Sequence, residues 1–189
     1  KKTGIELTES SPQVSNAYAV PSYIGQGTNA YTTSQLARYA TAIATSGTVY
    51  DLTLLDRQTD SKGSVLKEYE PNVINTMEVS QNVWDDIHDG MYRVVQTHKQ
   101  LDGLGMDVSG KTGTAEVDGV YHPNHGMFIG YAPATDPQYA IAVRIENGYS
   151  SGNACLAADD IFKYIFQLAD EQTILTGVAA SDTSDTSND

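Results

Sequence analysis

This chain of 189 residues predicts an α+β fold, an antiparallel β-sheet packed by helices. Apolar residues recur at helical spacing in three stretches, beginning near Thr33, Ser80 and Ala154. Three strand-like segments crowd together between Gly110 and Glu146. Helices and strands therefore segregate instead of alternating as βαβ units, which favours antiparallel pairing.

Taken in order, residues 8–30 are rich in Ser, Asn, Gly, Pro and Tyr and predict mostly loop. A helix follows, capped by Thr32 or Thr33, with Leu36, Ala37, Tyr39, Ala40, Ile43 and Ala44 as its apolar stripe and Gly47 as its C′ stop. Thr48–Leu55 and Val65–Tyr69 flank a turn at Asp60–Gly63 and predict a hairpin. After a cap at Ser80, Val83, Trp84, Ile87, Met91, Val94 and Val95 mark a second helix, interrupted only by Gly90, with Trp84 as its core anchor.

Strands are predicted over Gly110–Glu116, Met127–Ala132 and Tyr139–Glu146, the last two joined by a turn at Pro133–Pro137. A final helix spans Ala154–Asp170, with Leu156, Ile161, Tyr164, Ile165 and Leu168 facing in and Cys155 as a small buried residue near its start. Residues 1–172 read as one domain. Residues 173–189 form an acidic tail too polar to bury the surface that ordering requires, so disorder is expected there.

Composition narrows the function classes. A hydrophobic fraction of 40% and 16 glycines suit a folded, loop-rich protein. The net charge is −13, from 24 acids and 11 bases, which argues against nucleic acid and anionic membrane surfaces as partners. One cysteine, Cys155, excludes an internal disulfide framework. No apolar run reaches the ~18 residues of a membrane span. Lys1–Leu7 reads as the middle of a domain, so any anchor or targeting segment is expected upstream.

Several short motifs compete. Gly105–Thr112 fits G-x-x-x-x-G-K-[ST], but a phosphate loop needs a buried strand before it and a helix after it, and the flanking residues favour neither. Gly25–Ala30 fits G-x-G-x-x-A, although Pro21 interrupts the strand it requires. His122-x-x-His125 has neither a cysteine nor a carboxylate pair to complete a metal site, and no cofactor is implied.

Lys111-Thr112-Gly113-Thr114 supports another reading of the same stretch. An ammonium and hydroxyls on the rim of an edge strand suit a substrate carboxylate beside a serine nucleophile. Gly113 leaves room for substrate to lie against the strand, and the amide just after it can donate to a tetrahedral oxyanion.

Further landmarks stand in fixed order: Thr3-Gly4-Ile5-Glu6-Leu7, Ile24-Gly25-Gln26-Gly27, Thr33-Ser34-Gln35-Leu36-Ala37, Ala42-Ile43-Ala44 with Gly47-Thr48, and Gly90-Met91 with Val94-Val95. Gly110–Glu116 and Phe128-Ile129-Gly130-Tyr131-Ala132-Pro133 complete them. On these residues the chain resembles the C-terminal part of the transpeptidase domain of class B penicillin-binding proteins, over nearly its whole length. Only the acidic tail has no counterpart.

The resemblance implies part of the penicillin-binding, β-lactamase-like transpeptidase fold and a serine-type peptidoglycan D,D-transpeptidase. By it, Lys111 places positive charge near the nucleophile and substrate carboxylate, Thr112 and Thr114 bind that carboxylate, and the Thr114 amide completes the oxyanion hole. Glu116 lies at the cleft's edge and Tyr121–Asn124 in a loop rimming it. The implied partners are a stem peptide ending in D-Ala-D-Ala, β-lactam antibiotics and the N-terminal part of the same domain.

The implied location is the extracytoplasmic face of a bacterial membrane, with the anchor upstream. The family orders its motifs Ser-x-x-Lys, Ser-x-Asn, Lys-Thr-Gly, and only the third stands in place. Ser64–Lys67 falls after landmarks that should follow the nucleophile, in a stretch that reads as strand and turn. Ser151-Gly152-Asn153 falls after Lys-Thr-Gly and reads as a helix cap. The nucleophile is therefore expected outside this sequence, leaving the chain alone inactive. A non-catalytic penicillin-binding or sensor module is the alternative, ahead of a nucleotide-binding protein.

Overall fold

The computed structural model describes residues 1–5, 8–15, 19–25, 27–117 and 122–175. The chain forms two compact units, Lys1–Val79 and a second beginning at Ser80.

In the first unit a short helix, α1 (Ala19–Tyr23), stands in the segment expected to be loop. The longer α2 (Thr33–Ala44) starts on a capping box: Thr32 Oγ1 accepts from the Gln35 amide while Gln35 Oε1 accepts from the Thr32 amide. It ends in a Schellman motif, with the Gly47 amide on the Ala42 carbonyl and the Ser46 amide on that of Ile43. The left-handed C′ residue is Ser46 (φ 50°), one position before the glycine expected there.

The buried face of α2 carries Ala40, Ala42 and Ile43, but also Gln35 and Arg38, while Tyr39 points outward. The polar pair can be buried because each has partners. Gln35 Nε2 donates to Glu9 Oε1 at 2.7 Å and to the Ser10 carbonyl at 2.8 Å. Arg38 donates to the carbonyls of Lys1 and Lys2.

The predicted hairpin splits in two. β1 (Thr48–Tyr50) pairs with β4 (Val73–Thr76), and between them β2 (Arg57–Thr59) pairs with β3 (Val65–Glu68). Asp60 Oδ1 accepts from the amides of Lys62 and Ser64, and Gly63 takes φ +85°. So tight a turn sets the register of its immediate flanks, which are β2 and β3, and leaves β1 to pair farther along.

The second unit is a three-stranded antiparallel sheet with helices. α3 (Gln81–Gln96) begins at Ser80, whose side chain makes no cap, and buries Trp84, Met91 and Val95. A 3₁₀ helix, Lys99–Leu104, leads to β5 (Ser109–Ala115), β6 (His125–Ala132) and β7 (Tyr139–Ile145), in sheet order β5-β6-β7. α4 spans Ser151–Ile165, and α5 (Glu171–Leu175) carries helix past residue 172. Residues 176–189, the rest of the expected tail, lie outside the described residues.

The core of this unit joins Phe128 and Ala132 of β6 to Ala154, Cys155, Ala158 and Phe162 of α4, with Val95, Leu101, Leu104 and Val108. α4 is thus rotated from the predicted phase, since Leu156, Ile161, Tyr164 and Ile165 are at least a third exposed. It also ends before the expected Asp170, leaving Leu168 beyond the helix and likewise exposed. The buried stripe also holds Asp159, paired with Lys163 one turn on. No helix among the described residues is long and apolar enough to cross a membrane.

Candidate functional site

β5 is an edge of its sheet, and Lys111-Thr112-Gly113-Thr114 occupies its middle. Opposed residues of an antiparallel pair share a face. Ser109, Lys111 and Gly113 therefore lie on one face with Tyr131, Ile129 and Met127, while Gly110, Thr112 and Thr114 lie on the other with Gly130, Phe128 and Gly126.

Burial changes sharply along the strand. Ser109 and Gly110 are buried, Lys111 is exposed, and Thr112, Gly113 and Thr114 are partly exposed. Tyr131 is fully buried opposite Ser109; burial pushes its phenol up, and the Ser109 hydroxyl draws it back in part.

Lys111 turns its ammonium onto the Thr112 carbonyl at 2.7 Å. Thr114 Oγ1 accepts from the Ser151 amide, 3.2 Å away at the start of α4. The lysine and the two threonine side chains thus flank the strand from opposite faces. Glu116 is exposed just beyond β5. Of the expected rim Tyr121–Asn124, Tyr121 lies outside the described residues and His122 is exposed.

Gly113 has no internal reason to be glycine. Its φ is not positive, and a Cβ there would meet only Met127 Cβ, at an ordinary 3.7 Å. Gly110 is the opposite case, because a Cβ would lie 2.4 Å from Phe128 Cζ. Clefts of about 300 and 360 Å³ open elsewhere in this unit, and neither is lined by Lys111–Glu116.

The competing motifs separate on geometry. Lys111-Thr112 continues as strand where a phosphate loop needs a helix, and the glycines at 25 and 27 follow a helix instead of closing a strand. Ser64 and Lys67 lie in a turn and strand, where residues three apart face opposite ways. Ser64 donates its amide to Asp60, and Lys67 lies over the Tyr69 ring at 4.4 Å. Ser151 starts α4 with Ser150 at the N-cap, so Ser151–Asn153, expected as a cap before Ala154, is instead the first turn of the helix. Asn153 Nδ2 donates to the Gly148 carbonyl at 2.8 Å. His125 Nδ1 accepts from the Asn147 amide at 3.0 Å.

The contacts behind β5 are not visible in the Lys111–Thr114 motif itself. Gly126, directly opposite Thr114, leaves the space in which the Ser150 carbonyl sits, since a Cβ there would be 2.2 Å from that oxygen. Two glycines four apart on one face of β6, 126 and 130, were the available signal of close backbone approach.

The model of the penicillin binding protein transpeptidase domain matches residues 1–167. This chain belongs to that family. It is 32% identical over 161 residues to penicillin-binding protein 2B of Streptococcus pneumoniae serotype 2 (strain D39), covering 75% of this chain and 23% of that protein. It is 30% identical over 156 residues to the peptidoglycan D,D-transpeptidase MrdA of Acinetobacter baumannii, with the same coverage of 75% and 23%.

Among solved structures it is similar to penicillin-binding protein A from M. tuberculosis as an imipenem acyl-enzyme complex. There the TM-score is 0.67 at 26% identity, over 77% of this chain and 33% of that one. The matched stretch is under a quarter of the length of these curated relatives. The penicillin-binding transpeptidase family and its α+β fold, expected from the landmarks, are borne out.

Proposed function

We propose that β5 is the substrate-binding strand of a peptidoglycan D,D-transpeptidase that works by serine acyl transfer. The observation that carries this reading is Lys111-Thr112-Gly113-Thr114 on a sheet edge, with a glycine at 113 that neither packing nor backbone requires. An edge strand turns alternate backbone groups away from its partner. The Lys111 ammonium on the Thr112 carbonyl suits a group turned to the open side, and Thr114, two residues on, repeats that direction.

In this reading a stem peptide ending in D-Ala-D-Ala lies along β5. The Thr114 amide donates to the oxyanion formed as serine attacks the penultimate carbonyl. Thr112 and Thr114 hydroxyls hold the terminal carboxylate, Lys111 supplies positive charge, and Glu116 borders the cleft. The tetrahedral intermediate collapses by breaking the terminal peptide bond, and D-Ala leaves as the protonated amine. The acyl-enzyme then passes its acyl group to an amine of a neighbouring peptide, which frees the serine hydroxyl. β-Lactams imitate the dipeptide and stop at the acyl-enzyme. The serine and its lysine belong to the N-terminal part of the same domain, on the extracytoplasmic face of a bacterial membrane.

Labelling with a fluorescent penicillin, read in a denaturing gel, tests the proposal. The protein carrying the whole domain should label and these 189 residues alone should not. A whole domain that binds penicillin without a covalent label would favour a sensor module.

A further inference from the structure

After β7 the chain turns through Asn147 and Tyr149, both non-glycine residues at positive φ, 53° and 65°. Such backbone persists where its surroundings fix it. Here the fixing contacts are visible. Asn147 donates its amide to His125, and the Gly148 carbonyl accepts from both the Ser150 amide at 2.8 Å and Asn153 Nδ2 at 2.8 Å.

This pinned turn delivers the start of α4 onto β6 and β5. Gly126 lets the Ser150 carbonyl into the space a side chain would fill. Directly opposite Gly126 on the next strand is Thr114, whose hydroxyl receives the Ser151 amide at 3.2 Å. α4 has no side-chain cap of its own, because Ser150 makes none. A strand threonine therefore takes one of the amides that a helix start leaves without an intrahelical partner.

We infer that α4 sets the side-chain rotamer of Thr114, with Gly126 and Ser151 as positioning residues for the substrate-binding strand. The inference rests on the reading of β5 given above. Threonine distributes between rotamers when nothing selects one. The Ser151 amide selects the one that keeps Oγ1 towards α4, which fixes where the Thr114 hydroxyl stands relative to a substrate carboxylate.

Ser151→Pro in the protein carrying the whole domain tests this, because it deletes the amide. Proline is tolerated at a first helical position, and the extended Ser150 (φ −143°, ψ 164°) suits a residue preceding proline. Ser151→Ala removes the hydroxyl and keeps the amide. The second-order rate of acylation by fluorescent penicillin should fall about tenfold further in the proline variant than in the alanine variant. In a Thr114→Val background, exchanging alanine for proline at 151 should cost nothing more. Equal rates for the two variants, or full additivity with Thr114→Val, would overturn the inference.

A second readout does not depend on acylation. Three-bond couplings to the Thr114 methyl report its rotamer: one in the parent, averaged in Ser151→Pro. Averaging in the parent would sink the inference even if penicillin labels it, and a parent that never labels sinks the transpeptidase reading alone. Should the proline variant not fold, Gly126→Ala displaces the same turn and should average the same couplings, and a single parent-like rotamer there would count against the idea.

Discussion

Gly110 on β5 lies so close to Phe128 on β6 that a Cβ at position 110 would meet Phe128 Cζ at 2.4 Å and the Ile129 carbonyl at 2.9 Å. Phe128 is fully buried in the cluster with Phe162, so its ring has little room to move. Gly110→Ala should therefore destabilise the second unit by about 1–3 kcal/mol, the usual cost of overpacking. Urea unfolding followed by the fluorescence of Trp84 would measure it. An unchanged midpoint would mean that the ring yields more easily than the packing indicates.

Gly113→Ala should behave in the opposite way. A Cβ there touches only Met127 Cβ at 3.7 Å, so stability should stay within about 0.5 kcal/mol. Acylation by penicillin should nevertheless fall about tenfold or more if β5 binds substrate as proposed, because the methyl would then stand in the substrate's path. A variant both stable and fully reactive would remove the reason for a glycine at 113.

Glu9 links stability to pH in the first unit. Burial pushes its carboxyl up, but donation from the Thr3 amide, Gln35 Nε2, the Gly4 amide and the Thr3 hydroxyl outweighs this and holds it at about 2. A carboxyl lowered on folding stabilises above its unfolded value, near 4.3, and that contribution fades as pH falls towards the folded value. Glu9→Gln should thus melt well below the parent at neutral pH, and the gap should close between about pH 4 and pH 2. A gap that stays constant with pH would show that the loss is one of packing and not of charge.

The long elements of this fold were legible because local chemistry and tertiary context agree. The Thr32 cap of α2, the amphipathic α3 and the three strands around Lys111 all stand within a few residues of where pattern alone puts them. α4 misled because its apolar residues spread over a wide arc, so periodicity alone does not fix which part of that arc packs. The face that packs, Cys155, Ala158 and Phe162, is made less apolar by Asp159, and the more apolar Leu156, Ile161 and Ile165 stay exposed.

The strand pairings of the first unit failed for another reason: strands of three or four residues carry too little pattern to name a partner. In the site, Lys111–Thr114 was visible as a motif, whereas its support from Gly126 and Ser151 depends on contacts between distant segments.

The central claim is that β5 lines an acyl-transfer cleft whose serine lies outside these residues. Mass spectrometry of the penicillin-treated protein carrying the whole domain, with and without Lys111→Ala, tests it most directly. The account predicts one covalent adduct on a serine outside the 189 residues, formed about a hundredfold more slowly in the variant. An adduct on Ser64, or a rate unaffected by Lys111→Ala, would contradict it.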